Sequence, residues 1–477
     1  MNRETRIKTI QEIINRDKPF GNQEIPWMGV LVSKNVYQIP LKTLIYNKYN
    51  GRILSRTKSL ERQHYTIDVE SEVGKKHIEK LLWDSNETRN KKTTKSIELY
   101  GQQKVGIITK DGIIIDGNRR AMLLNKTGKS DYFKTIVLDV TLDENPLEIE
   151  KLETLYQMGE DEKVGYNATE KYIKSKELYK KLTQQTYSSN PNKHTPNTKV
   201  VKDIANWMGQ DDSEILKYLN TMEIMDEYLE FLEYDGIYTQ LDKREDQFLN
   251  LTKWLKTFYG ESSRKAFDGY TDGDVDELKS VAFDYIRAKY EGKEFRLLAE
   301  GLNSKHFFGD KLIWKSFYNY HIEKVTPIND SEERIDYNST NLNKHLDDRD
   351  SKFLESTKID GVTSFLEENI EIHQEKLGNR NAAEQPLKLV NEAFDKLNAI
   401  KIRHPSFAKV EVQNQVEEIG NKIFSMLQQN STASVLSKII KLLEDIDVDK
   451  LKDSETEEIK EKATIINKLS YQILKKL

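Results

Sequence analysis

Residues 112–124 constrain the fold of this chain most, because they predict a strand, a sharp turn and a helix in immediate succession. A run of three isoleucines is typical of a buried strand, and Asp116-Gly117 predicts the turn that ends it. Ala, Met and Leu then favour a helix, at whose start lie Arg119 and Arg120. Free backbone N–H groups and the helix dipole favour an anion at such a point. Two arginines add permanently charged, fork-shaped donors, so the sequence predicts an anion site here, most often for phosphate.

Composition excludes several classes of protein. The 477 residues predict about three domains. With no cysteine, disulfides, thiolate catalysis and Cys-ligated zinc are excluded. No apolar stretch approaches the roughly 20 residues of a membrane helix, and the first residues are charged rather than signal-like. We therefore expect a cytoplasmic protein with no membrane partner. A net charge of −5 argues against a uniformly basic nucleic-acid binder but allows a local basic face.

The chain divides into regions of different pattern, which together predict an α+β protein. Residues 1–145 alternate short apolar runs with turn signals, as expected of an α/β domain. Residues 146–330 have a helical pattern, and residues 331–350 are polar and charged enough to predict a linker. Residues 351–477 predict long helices rich in Glu, Lys and Leu, which suit self-association.

Residues 94–124 resemble the core of the ParB/sulfiredoxin-like superfamily, the fold of the N-terminal domain of ParB partition proteins. The family pattern is a Ser-Ile helix ending in Gly, a strand, a charged hairpin, and a second strand closing with Gly-x-Arg-Arg. These elements correspond here to residues 96–101, 105–109, 110–112 and 113–120. The resemblance implies a ParB/sulfiredoxin-like domain at the N-terminus, followed by helical regions.

The resemblance also implies nucleotide binding without a Walker motif, which the chain lacks. In ParB relatives this turn cradles the triphosphate of CTP, and in sulfiredoxin and some kinases that of ATP. We therefore expect CTP or ATP with Mg²⁺ as the cofactor. The nucleotide-binding residues that the resemblance implies are Gly117, Asn118, Arg119, Arg120, Arg52 of an Asn-x-Arg segment, and Gln157 of a second family box. Asp116 is the catalytic candidate, because it could hold a divalent ion or contact the ribose. Met158 departs from the family's metal-coordinating Asn, and a thioether does not suit Mg²⁺.

Two regions are candidates for DNA contact. Residues 198–222 predict a degenerate helix-turn-helix with its turn at Gly209 and Lys217 on the second helix. That second helix begins Asp-Asp-Ser-Glu, which would oppose a phosphate-lined groove. The other candidate is a basic region that could hold phosphates or could be a solvated loop: Lys75, Lys76, Lys80, Arg89, Lys91, Lys92 and Lys95.

These patterns lead to one functional hypothesis and two alternatives. The hypothesis is a ParB-like, DNA-associated protein that binds and slowly hydrolyses a nucleoside triphosphate, in plasmid maintenance or phage defence. The first alternative is a metal-dependent nuclease that uses the same acidic turn. The second is a non-enzymatic adaptor that binds DNA or recruits a protein. The expected partners are DNA, a nucleoside triphosphate, further copies of the chain in a homodimer or higher oligomer, and a second protein on the C-terminal helices.

Overall fold

The structure is a computed structural model in which contacts group the chain into two units, Met1–Ala383 and Glu384–Leu477. The residues it describes are 1–63, 66–158, 168–189, 194–260, 263–290, 292–337, 341–359, 361–427, 432–450 and 456–476. None of the described helices combines the length and apolarity of a membrane span.

A six-stranded mixed sheet organises the N-terminal part of the first unit. Its strands are β1 (Gly21–Trp27), β2 (Val30–Pro40), β3 (Ile45–Tyr46), β4 (Gly106–Ile108), β5 (Ile113–Asp116) and β6 (Tyr132–Val137). Their order across the sheet is β1-β2-β6-β4-β5-β3. The pairs β6–β4 and β5–β3 are parallel and the other three are antiparallel. The two strands predicted on either side of the charged hairpin are thus confirmed as neighbours, β4 and β5.

Helices cover both faces of this sheet. They are α1 (Arg3–Arg16), α2 (Leu54–Arg62), α3 (Glu72–Asp84), α4 (Glu87–Tyr100), α5 (Asn118–Thr127) and α6 (Pro146–Met158). Ile114 points into a core with α1, α3, α4 and α5, whereas Ile115 points into a second core with α6. This alternation is the period of a strand buried on both faces. The sequence placed α6 in the helical region, but its residues Ile149 and Leu152 pack on the sheet.

The rest of the first unit is helical and surrounds one large apolar core. Its helices are α7 (Ala168–Thr183), α8 (Thr198–Met208), α9 (Asp212–Phe231), α10 (Glu245–Phe258), α11 (Asp272–Arg287), α12 (Lys311–Asp330), α13 (Leu342–Ser356) and α14 (Phe365–Asn398), which continues into the second unit. A two-stranded ribbon, β7 (Lys358–Ile359) and β8 (Thr363–Ser364), precedes α14. A mixed sheet at the N-terminus followed by a mostly helical remainder confirms the α+β class.

The polar stretch predicted as a linker contains most of a packed helix instead. Leu342, Leu346 and Phe353 of α13 are buried, because their spacing places them on one helix face. Asp350 is buried as well and pairs with Arg244 at 3.1 Å and with Arg287 at 3.0 Å. Polar composition predicted a linker because the sequence gives no sign of which charges become paired inside.

The second unit consists of the end of α14 followed by α15 (Val410–Leu427), α16 (Thr432–Glu444) and α17 (Thr456–Lys476). Among its residues whose exposure the structure describes, none is buried. Four apolar residues of α15 are 37–58% exposed to solvent: Val416, Ile419, Ile423 and Met426. Their alternating spacing of three and four residues is that of a coiled-coil seam. The helical tail is thus present, with its apolar stripe uncovered.

Candidate functional site

The predicted turn between β5 and α5 depends on the backbone conformation of Gly117. β5 ends at Asp116 and α5 begins at Asn118, while Gly117 takes a left-handed φ of 106°. A Cβ at this position would lie 2.7 Å from Cζ of Phe133, so only glycine fits without displacing that ring. Among the residues that the structure describes, no side chain caps the first turn of α5. Its leading N–H groups are therefore open to an anion, as the sequence predicted.

Asn118 fastens the turn to the segment after β3. Its side chain is buried, and its Oδ1 accepts the backbone N–H of Asn47 at 2.9 Å. Its Nδ2 donates to the carbonyl of Ile114 at 3.1 Å. The side chain that was predicted to touch a nucleotide is thus occupied within the protein, where it fixes the shape of the turn.

Arg120 and Asp116 pair with each other across the first turn of α5. Nη2 of Arg120 lies 2.5 Å from Oδ2 of Asp116, and Nη1 donates to the carbonyl of Val105 at 3.0 Å. The two side chains are only 18% and 11% exposed. Arg120 therefore neutralises Asp116 and ties α5 to the start of β4.

Arg119 is a half-buried cation of this site with no acidic partner among the described residues. It makes no hydrogen bond or ion pair with any residue that the structure describes. Burial, and to a lesser extent the charges of Arg52, Arg89 and Arg120, together lower the pKa of its guanidinium to about 10. Arginines that lie close together destabilise one another's charged form, and a bound anion relieves this effect. The electrostatics of the turn therefore favour a bound anion.

The Arg52 segment is held by side chains that the sequence did not single out. The carboxylate of Glu153 accepts hydrogen bonds from Nδ2 of Asn50 at 3.3 Å and from Nδ2 of Asn47 at 3.5 Å. Oδ1 of Asn50 in turn accepts the backbone N–H of Arg52 at 3.3 Å. Burial raises the pKa of Glu153 to about 7, while the charge of Lys174 opposes that rise.

One sequence signal could have identified Glu153. In α6, residues 149, 152 and 156 form the apolar stripe that faces the sheet, and Glu153 stands beside it at helical spacing. An acid on a buried helix face needs partners, which makes it a functional candidate. Gln157, one turn later, is buried and donates to Glu153 at 3.0 Å and to the carbonyl of Ile115 at 3.3 Å. It lies behind the strand that leads into the turn.

A second buried carboxylate anchors the helix that follows Arg52. Glu170 of α7 accepts the backbone N–H of Ser55 at 3.0 Å and its hydroxyl at 2.5 Å. Burial raises the pKa of Glu170 to about 7. Because a carboxylate at a helix N-terminus satisfies free N–H groups, Glu170 serves as the cap of α2.

The described residues around the turn offer cations and backbone N–H donors rather than a cluster of metal ligands. No group of three or more His, Asp and Glu side chains that could hold a metal occurs among the described residues. Asp116, for which the sequence left open contact with a divalent ion or with the ribose, is paired with Arg120. A Mg²⁺ ion here would depend chiefly on phosphate oxygens for its ligands, which is a usual arrangement for this ion.

The basic region is helical and flanks the site. Its seven residues lie on α3 and α4, both of which pack against α5, so the alternative of a solvated loop is wrong. Lys75 pairs with Glu72 at 3.3 Å and Lys91 with Glu87 at 3.2 Å. Arg89 is half-buried and close enough to lower the pKa of Arg119. The other residues are exposed: Lys76, Lys80, Lys92 and Lys95.

The predicted helix-turn-helix exists as α8, a left-handed Gly209 and α9. From Tyr218 onward, however, α9 is mostly buried within the helical core. Its exposed start carries Asp212, and Lys217 lies 3.4 Å from Glu214. The exposed start of α9 therefore presents more acid than base.

Comparisons with known proteins found a single distant likeness. No protein-family model matches the sequence, and no curated protein matches it. One solved structure, described as the C2221 form of a Pnob8-like ParB-N domain, is similar over 56% of this chain and 92% of that chain. The identity is 12% and the TM-score is 0.35. The functional argument therefore depends on the geometry of the turn itself.

Proposed function

We propose that the turn from Asp116 to Arg120, together with Arg52, binds the phosphate groups of a nucleoside triphosphate. The observation that carries this proposal is Arg119, a half-buried guanidinium surrounded by other arginines and lacking a described acidic partner. Guanidinium forks match phosphate oxygens in geometry, and the uncapped N–H groups of α5 add neutral donors. CTP and ATP are the nucleotides that the ParB/sulfiredoxin-like resemblance favours.

The experiment is a calorimetric titration of the full chain with each of the four nucleoside triphosphates in the presence of Mg²⁺. At least one should bind with a dissociation constant in the micromolar range or below, and the corresponding nucleoside should bind far more weakly. Equal affinity for nucleoside and triphosphate would contradict a phosphate site. Including DNA in a second series tests whether the two ligands are coupled.

We further propose that the protein associates with DNA, as expected for a role in plasmid maintenance or phage defence. The exposed lysines of α3 and α4 lie beside the triphosphate site and support this proposal. Contacts of this kind neutralise DNA phosphates without reading bases. The nuclease alternative would need Asp116 as a ligand of a metal ion, and Asp116 is paired with Arg120 instead. Incubation of plasmid DNA with the protein and Mg²⁺ or Mn²⁺ tests that alternative through nicking.

The second unit supports association between copies of the chain. Its helices have apolar stripes and no described buried residue, and a segment of this size needs a covered core to be stable. It contains 15 basic and 15 acidic residues, so two copies would not repel each other through net charge. Sedimentation of the full chain should therefore show a dimer or higher oligomer.

A further inference from the structure

The Arg52 segment is joined to the anion turn by a continuous hydrogen-bond path. The path runs from Asn118 in the turn to the backbone of Asn47, and from the Asn47 side chain to Glu153. It continues from Glu153 to Asn50, and from Asn50 to the backbone N–H of Arg52. All four side chains of this path are at most 6% exposed.

Glu153 is the acceptor at the centre of this path. Every described group that hydrogen-bonds to it is a donor: the side-chain amides of Asn47, Asn50 and Gln157, and the backbone of Gly51. A carboxylate can accept all of these hydrogen bonds, whereas an amide would turn an N–H group toward them. The segment before Arg52 is therefore complementary to a carboxylate from α6 and not to its neutral isostere.

We infer that Glu153 is a positioning residue of the anion site, which sets the conformation of Arg52 through Asn50. This inference rests on the proposed phosphate-binding function. Glu153 itself does not touch the phosphates; it holds the backbone from which Arg52 reaches toward them. A preorganised cation binds more tightly than one that must be ordered on binding, so the contribution of Arg52 depends on Glu153.

The direct test compares the nucleotide affinities of Glu153→Gln, Arg52→Ala and the double variant in the full chain. Glu148→Gln is the matched control, since Glu148 lies on the same helix and contacts Lys151 instead. We expect Glu153→Gln to weaken binding about tenfold, which corresponds to one or two hydrogen bonds. In the Arg52→Ala background, the same substitution should have little further effect.

A double variant that exchanges the amide and the carboxylate distinguishes a positioning role of Glu153 from a general loss of structure. In the variant Asn50→Asp with Glu153→Gln, the amide and the carboxylate change places across their 3.3 Å contact. The carboxylate at position 50 can still accept the Arg52 N–H, so affinity should recover at least about threefold over Glu153→Gln alone, while the contacts from Asn47 and Gln157 stay unmatched. Asn50→Ala provides a second variant if Glu153→Gln fails to fold, and it should also be non-additive with Arg52→Ala.

The outcomes distinguish this inference from the function on which it rests. Wild-type affinity in Glu153→Gln, or an equal loss with and without Arg52, would overturn the positioning role alone. Failure of wild-type protein to bind any nucleoside triphosphate would overturn the phosphate-binding function and this inference with it.

Discussion

Asp116 and Arg120 form an ion pair across the first turn of α5, with 2.5 Å between Oδ2 and Nη2. Because of this pair, the two adjacent arginines differ in their surroundings and in their expected roles. Arg120 neutralises the carboxylate and secures the turn, and Arg119 is left without an acidic partner among the described residues. Arg119 therefore contributes positive charge to the site that no described carboxylate neutralises.

Replacing Arg120 should affect stability more than a surface substitution does. Arg120→Ala leaves the carboxylate of Asp116 and the carbonyl of Val105 without their donor in a poorly exposed place. We expect the free energy of unfolding to fall by about 1–3 kcal/mol. Urea denaturation measures this, with Arg264→Ala as an exposed control. Equal midpoints for the two variants would show that the ion pair contributes nothing.

Glycine at position 117 should be required for the shape of the turn. Gly117→Ala adds a Cβ 2.7 Å from the ring of Phe133 at a left-handed φ, so we expect a loss of about 2–4 kcal/mol. Gly128→Ala is the matched control, because Gly128 has a left-handed φ of 59° with open space around its Cβ position. It should lose only about 1 kcal/mol. Similar losses in both variants would contradict a steric role for Phe133.

Sequence patterns predicted the strand, turn and helix because all three are encoded within 13 consecutive residues. The supporting network was not predictable in the same way. Glu153 lies 106 residues beyond Asn47 in the chain, and only tertiary folding brings them together. The burial of Asp350 was missed for a similar reason, since its partners are Arg244, directly before α10, and Arg287 at the end of α11.

Stability should depend on pH through Glu170. Burial raises its pKa from the usual 4.5 to about 7, so the folded state binds a proton more readily than the unfolded state. The stability gained from this proton is fully present below pH 4.5 and is lost as the pH rises to about 7. Glu170→Gln should reduce the slope of unfolding free energy against pH between 5 and 7, whereas Glu98→Gln, an exposed control, should not. An unchanged slope in Glu170→Gln would contradict the raised pKa.

The lysines of α3 should contribute to DNA binding in a salt-dependent manner. Replacing both Lys76 and Lys80 by Ala should weaken binding to any duplex sequence and reduce the salt slope by about two. Lys217→Ala should change neither quantity, because Lys217 pairs with Glu214 on the acidic start of α9. Fluorescence anisotropy at several salt concentrations measures both. A larger effect of Lys217→Ala than of the double lysine variant would indicate that the helix-turn-helix contacts DNA instead of α3.

The apolar stripe of α15 should hold the oligomer together. Ile419 and Ile423 are 40% and 44% exposed in the single chain, so charges placed there should disfavour a covered seam. We expect Ile419→Asp with Ile423→Asp to shift the full chain toward monomer in sedimentation velocity. Gln413→Asp on the same helix is the control. If the sedimentation of the double variant were the same as that of wild type, the contact between copies would have to lie on another helix.

The most direct test of the phosphate-binding claim is calorimetric titration of Arg119→Ala with the nucleotide that wild-type protein binds best. Loss of the phosphate contact should weaken binding at least tenfold, while Arg264→Ala should bind as wild type does. Because Arg119 has no described hydrogen-bond partner to lose, Arg119→Ala should leave the urea midpoint unchanged or slightly raised. Wild-type affinity in a folded Arg119→Ala variant would contradict the account.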